Sequence, residues 1–165
     1  MSGMDMSASD APADAAFNSA DVMFAQMMIP HHEQAVEMSE MLLAKDGIDE
    51  QVRDLATQIK DAQQPEIDLM REMLSEWGED DSAMGGMDDG GLLSDEEMAA
   101  LEDATGADAA RLFLEGMTVH HEGAIEMAEA EVSDGENAEA KELADAIIAA
   151  QTDEIAVMQE LLADF

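Results

Sequence analysis

Apolar residues recur along much of this chain at alternating spacings of four and three, the period of a helix that buries one stripe. The first stripe is Phe24, Met28, His31, Ala35, Met38 and Leu42, in a pattern that predicts a helix from about Asn18 to Lys45. Gly47 ends it and Asp49 can cap the next helix. That second helix runs from about Glu50 to Trp77, with the stripe Val52, Leu55, Ile59, Gln63, Glu66, Met70, Met73 and Trp77. Residues 78–93 are rich in Gly and Asp and read as a linker. Ser94-Asp95-Glu96-Glu97 is a capping box that opens a short helix to about Asp103, and Gly106 breaks it. A third long helix over about 107–132 carries Phe113, Met117, His120, Ala124, Met127 and Glu131. Ser133 to Glu136 is the predicted turn. The last helix, from about Asn137 to Leu162, carries Leu143, Ile147, Gln151, Glu154, Met158 and Leu161.

The stripes repeat. Phe24-x-x-x-Met28-x-x-His31-His32-Glu33-x-Ala35-x-Glu37-Met38-x-Glu40 returns as Phe113-x-x-x-Met117-x-x-His120-His121-Glu122-x-Ala124-x-Glu126-Met127-x-Glu129. Gln63-x-x-Glu66-Ile67-x-x-Met70 returns as Gln151-x-x-Glu154-Ile155-x-x-Met158. Two duplicated hairpins that each bury one face predict an all-α fold, a four-helix bundle with a short extra helix in the linker. The expected organisation is an N-terminal segment over 1–16 without fixed structure, then one bundle over 17–165. Within it, repeat 1 spans about 18–77, the linker and short helix 78–105, and repeat 2 about 106–164. Pro30 and Pro65 fall inside helices and remove backbone donors. Pro30 reads either as a tolerated kink or as a local opening beside a ligand; Val119 takes its place in the second copy.

Composition narrows the function. Six Lys and Arg stand against 41 Asp and Glu, a net charge of −35, which argues against binding nucleic acid phosphates or anionic membrane surfaces. No apolar run is long enough to span a membrane. Cysteine is absent, so no thiolate can be ligand or nucleophile. Tyrosine is also absent and aromatics are few, which leaves an aliphatic core rich in the 16 Met. The small, acidic start of the chain is like the stalk that follows a cleaved signal or a lipid anchor.

All four histidines lie in the two His-His pairs, bracketed by methionines. Positions three and four apart share a helix face, so Met28 and His31 aim into one region, as do Met117 and His120, and Glu66 and Met70. A carboxylate on an apolar stripe costs several kcal/mol unless paired, protonated or metal-bound. Glu66 and Glu154 are therefore expected to face His31 and His120, as fellow ligands or as hydrogen-bond partners. His32 and His121, about 100° around the helix, flank the seam or serve as outer ligands. Imidazole binds many metals, and thioether sulfur selects soft ions such as Cu(I). Met1, Met4, Met6, Met84 and Met87 are candidate auxiliary copper contacts.

At these residues the chain resembles the domain of unknown function 305 family. The shared hallmark is Met-x-x-His-His-x-x-Ala-(Ile/Val)-x-Met, followed by a Gln-x-x-Glu-(Ile/Val)-x-x-Met helix, and both occur twice over about residues 18–164. The resemblance implies a ferritin-like four-helix bundle, exported or lipid-anchored in bacteria, similar to CopM-type periplasmic copper-binding proteins. Carried over, it implies metal residues Met28, His31, His32, Met38, Met117, His120, His121 and Met127. Strict duplication fails at Gly116, opposite Met27, which makes Met27 a doubtful ligand.

The expected function is non-enzymatic: an extracytoplasmic protein that sequesters or transfers copper, as Cu(I) and also Cu(II). The full candidate set is Met28, His31, His32, Met38, Glu66, Met70, Met117, His120, His121, Met127, Glu154 and Met158. The partner is a metal ion, with a copper transporter or chaperone as a further candidate. One alternative is a ferritin-like carboxylate/histidine metal oxidoreductase, with iron or zinc in place of copper. The missing Glu-x-x-His motif argues against its di-iron form. The other alternative is a metal-free structural or stress protein.

Overall fold

A computed structural model of the chain describes residues 16–80 and 91–165. The described residues form five α-helices: α1 (Ser19–Leu43), α2 (Glu50–Glu76), α3 (Asp95–Asp103), α4 (Gly106–Asp134) and α5 (Ala138–Leu162). The expected segment over 1–16 therefore falls almost wholly outside the described residues, as do Met84 and Met87 of the linker. α1 pairs with α2 and α4 with α5 as tight hairpins, and the hairpins join mainly where α1 packs on α4. α2 and α5 touch only sparsely.

Local chemistry sets the helix ends. Asn18 and Asp21 form a capping box at α1, and Ser94 and Glu97 form one at α3. Asp49 caps α2 and Asn137 caps α5. Pro30 and Pro65 sit inside helices that continue through them. α4 runs through Asp134, past the expected start of the turn at Ser133, and Gly135 ends it with an extended backbone. No helix ends in a basic last turn. Instead, Arg53 reaches back to the Leu43 and Lys45 carbonyls, and Lys45 donates to the Glu102 and Ala104 carbonyls at the end of α3. Cations at these positions offset the negative helix terminus.

The apolar core is in two parts. One joins Phe24, Met28 and Ile29 with Ile67, Met70, Met73 and Ile147. The other joins Met38 and Leu42 with Leu55, Ile59, Phe113, Met117 and Met158, and α3 adds Leu101. A layer of buried polar residues belongs to neither part: His31, His32, Gln63, His120, His121, Gln151 and Glu154.

A second buried polar cluster ties the start of α1 to the α4–α5 turn. The Asp21 carboxylate accepts from the backbone amides of Asn18, Glu136 and Asn137. The Asn137 side chain donates to the Ala16 carbonyl, and the Asn18 side chain to that of Asp134. Glu131 is buried against Asp21, and neither of its oxygens meets a donor among the described residues. Burial, with the Asp21 hydrogen bond and charge, pushes the Glu131 carboxyl from 4.5 up to about 9. Burial also raises Asp21, but its hydrogen bonds from Glu131 and the backbone outweigh that and hold it below 3.8. The pair is an acid and a carboxylate sharing one proton. Gly135 makes room for it: a Cβ there would lie 2.3 Å from Glu131 Oε2 and 2.6 Å from Asp21 Oδ1.

Two outcomes follow from this cluster. Between about pH 4.5 and 9 the folded chain keeps a proton on Glu131 that the unfolded chain releases, so stability falls as pH rises through this window. Below pH 3.8 the unfolded chain protonates Asp21 while the folded chain resists, so stability falls there too. Glu131→Gln supplies a permanent donor to Asp21. The drop in urea midpoint between pH 5 and pH 9 should be clearly smaller in this variant than in the parent, and an equal drop would be evidence against the shared proton. Gly135→Ala should destabilise by about 1–3 kcal/mol, the usual cost of overpacking, read as a lower urea midpoint at pH 7.

Candidate metal centre

Each of α1 and α4 presents two faces, one to its hairpin partner and one to the other hairpin. Adjacent histidines on one helix are turned about 100° apart and so serve both faces. His31 and His120 meet across the α1–α4 contact, with ring centroids 3.7 Å apart and planes tilted by 35°. His32 turns toward α2, where its Nε2 donates to Glu66 Oε1 at 2.7 Å. His121 turns toward α5, where its Nε2 donates to Glu154 Oε1 at 2.6 Å. Glu66 and Glu154 thus pair with His32 and His121, where His31 and His120 were expected. A single seam had been read on helices that each have two. His32 and His121 are as deeply buried as the other pair.

These hydrogen bonds fix the chemistry of the rings. A carboxylate only accepts, so Nε2 carries a hydrogen, and in the neutral ring the lone pair is then on Nδ1. The Nδ1 atoms of His32 and His121 are buried and have no hydrogen-bond partner among the described residues. The same is true, among the described residues, of both amide atoms of Gln63 and of Gln151 Oε1. Each such atom costs about 1–3 kcal/mol when left unsatisfied. Carboxylate-oriented imidazoles with bare lone pairs are the arrangement that metal-binding histidines take. Burial, and then the neighbouring His31, His121 and His32, hold His120 well below the usual imidazole range, which favours the neutral form that binds metals. The donor set fits a nitrogen- and sulfur-seeking ion. Among the described residues no three His, Asp or Glu are grouped so as to hold an ion by themselves.

The two halves of the layer differ. Glu154 is nearly sealed, with 7% of its side chain exposed, and also accepts from Gln58 Nε2 at 3.4 Å. Glu66 keeps 22% of its side chain in solvent and forms the wet edge of the layer.

The methionines divide into three groups. Met28 and Met70 are buried in the core on one side of the layer, and Met38, Met117 and Met158 in the core on the other side. Thr118 Oγ1 lies 3.9 Å from the Met158 sulfur. Met127 is half-buried: it packs against the core that holds Met28 and Met70 and lines a surface groove with Met23 and Met27. Sequence reasoning missed Met23 altogether. Its signal was the i, i+4 spacing to Met27 on the face that continues to His31.

Comparison with known proteins agrees with this architecture. No curated protein matches the chain. A DUF305 fragment from Deinococcus radiodurans is similar at TM-score 0.81 and 29% identity, covering 90% of this chain and 98% of its own. A Streptomyces coelicolor DUF305 protein, named for its assumed secretion, is similar at TM-score 0.79 and 33% identity, covering 93% and 94%. CopM in its Cu(II)-bound form is similar at TM-score 0.76 and 32% identity, covering 87% and 96%. The profile described as Domain of unknown function (DUF305) matches residues 21–162, and the chain belongs to that family.

Proposed function

We propose that this chain is an extracytoplasmic, non-enzymatic copper-binding protein that sequesters or hands on Cu(I), and also accepts Cu(II). One bundle would do this, built from hairpins over about 18–77 and 106–164 and joined through 78–105. The observation that carries the reading is the pair of buried, unpartnered Nδ1 lone pairs that Glu66 and Glu154 orient on His32 and His121. His31 and His120 add imidazoles beside them. Met28 and Met70 from one core, and Met38, Met117 and Met158 from the other, supply thioethers that favour the monovalent ion. Met127 belongs to the periphery of this set. CopM has been seen in Cu(I)-, Cu(II)- and Ag-bound forms, and its 29–32% identity to this chain supports the same ion class here. No helix among the described residues is long and apolar enough to cross a membrane. A copper transporter or chaperone is the further partner that a transfer role implies.

A ferritin-like oxidoreductase fits less well. Di-iron sites use four carboxylates as ligands, whereas the two carboxylates here are engaged by histidine.

Anaerobic titration against a Cu(I) chelator tests the reading. Glu66→Gln with Glu154→Gln keeps a partner for each Nε2 but removes the charge that raises ligand basicity. Cu(I) affinity should fall about 10–100-fold, the usual effect of altering the group behind a metal-binding histidine. Met28→Leu with Met117→Leu nearly conserves volume, so stability without metal should change by less than about 1.5 kcal/mol per site, while Cu(I) affinity falls. Unchanged affinity in both variants would return the histidines and methionines to a purely structural role. Tight Fe(II) binding with oxygen consumption would favour the oxidoreductase.

A further inference from the structure

The α1–α4 contact leaves a surface groove of about 250 Å³ toward the start of α1. Met23 and Met27 line it from α1 and Met127 from α4, with Glu131 and Asp134 at its acidic end. Met23 is 43% exposed, one of few large apolar side chains so open to water. Met23 and Met27 are one turn apart on the same helix face, and Met127 approaches from the antiparallel helix.

The register that carries His31 onto His120 carries Met27 onto Gly116, Met23 onto Leu112, and Met127 onto Met38. That corresponding groove is narrowed by the linker end and α3, which leave a cavity of about 250 Å³ there, lined by Leu93, Leu101, Leu112 and Gly116 and by no methionine. Leu93 of the linker packs where a Gly116 side chain would stand, with Cδ2 3.0 Å and the Met38 methyl 3.5 Å from the Cβ position. Leu101 of α3 is buried there, Lys45 ties down the end of α3, and Met38 has no exposure. Gly116 is thus the socket of the linker, which explains why it breaks the repeat opposite Met27. Among the described residues no element crosses the other groove, and the exposed Met23 stands there with the half-buried Met27 and Met127.

We propose that Met23, Met27 and Met127 form a second, thioether-only site for a soft monovalent ion, Cu(I) or Ag(I), at the mouth of the α1–α4 seam. Thioethers are neutral and soft, so they discriminate against Zn(II), Fe(II) and Ca(II). The surrounding acidic surface concentrates cations of any kind, and sulfur selects among them. Met27 lies one helical turn, about 6 Å of rise, before His31 on the same face, and Met127 lies two turns beyond His120. An ion held here would sit along the α1–α4 seam from the facing imidazoles of His31 and His120. The choice of a soft ion rests on the copper reading above, but the groove is spatially distinct from the histidine layer.

The test is titration of the full chain with Ag(I), a redox-inert probe, in chloride-free buffer, observed through ¹³C-labelled methionine methyl groups. The Met23, Met27 and Met127 methyls should shift together and saturate by two equivalents. Met23→Leu with Met27→Leu and Met127→Leu should lower the Ag(I) stoichiometry by one, with helicity unchanged by circular dichroism. Silent groove methyls at two equivalents would overturn the site, as would unchanged stoichiometry in the triple variant. Shifts at Met28 and Met117 alone would overturn it while supporting the buried centre. Shifts in the groove alone would support it while sinking the buried centre. Dimerisation on adding Ag(I) would place the ion between two copies and overturn the single-chain site.

Discussion

A hydrogen bond between a buried imidazole and a carboxylate, made once in each hairpin, is the constraint on which the rest of this bundle depends. His32 and Glu66 join α1 to α2, and His121 and Glu154 join α4 to α5. A one-turn slide of either hairpin would leave a charge in aliphatic surroundings, at a cost of about 3–5 kcal/mol for breaking a buried pair. The pairs therefore fix hairpin register. They are not the source of net stability, because desolvation of each carboxylate offsets much of the attraction. The two apolar cores on either side provide that stability, and the polar layer sets where they begin and end.

The same layer is repeated in the chain, yet the halves are not used alike. The linker lies against one groove of the α1–α4 seam. Gly91, at positive φ, lets the chain pass so close to α4 that a Cβ would be 2.7 Å from the Val119 carbonyl. Gly116 then receives Leu93. Two of the six basic residues, Lys45 and Arg53, act on helix C-terminal carbonyls around that end. In a chain with so few cations this is a concentrated investment in one end of the molecule. The opposite end is held by Asp21 and Glu131 and by the backbone amides of the α4–α5 turn.

The sequence made the helices and their caps legible because those signals are local. Asp49 and Ser94 cap the helices they were expected to cap, and Asn18 and Asn137, where helices were expected to begin, are caps as well. Duplication made the histidine and glutamate positions stand out as members of one layer. Their partners were not legible. Periodicity marks a residue as facing inward but not which neighbour it faces, so His31 was paired with Glu66 when His32 makes that bond. The Asp21–Glu131 contact was hidden for a related reason. It joins residues far apart in sequence at the end of the bundle, where no repeat flags them. Met127 shares a stripe with His120 but lies where the seam opens to solvent, and stripe membership alone does not report depth.

An ion entering the proposed centre would need the side chains to rearrange, because no three histidines or carboxylates among the described residues are grouped around one point. The composition next to the layer suits such movement. Met28, Met70, Met117 and Met158 each stand within four positions of a layer residue, as do Ile59 and Ile147, whereas Val52, Leu55 and Leu143 fill the helices farther out. Methionine has an unbranched side chain with three rotatable bonds and a polarizable sulfur, so it can swing without leaving a rigid void. Leucine would pack the same space with fewer accessible shapes. A bundle held in register by its carboxylates and kept soft beside them by its methionines combines a fixed set of imidazoles with sulfurs free to move toward an ion.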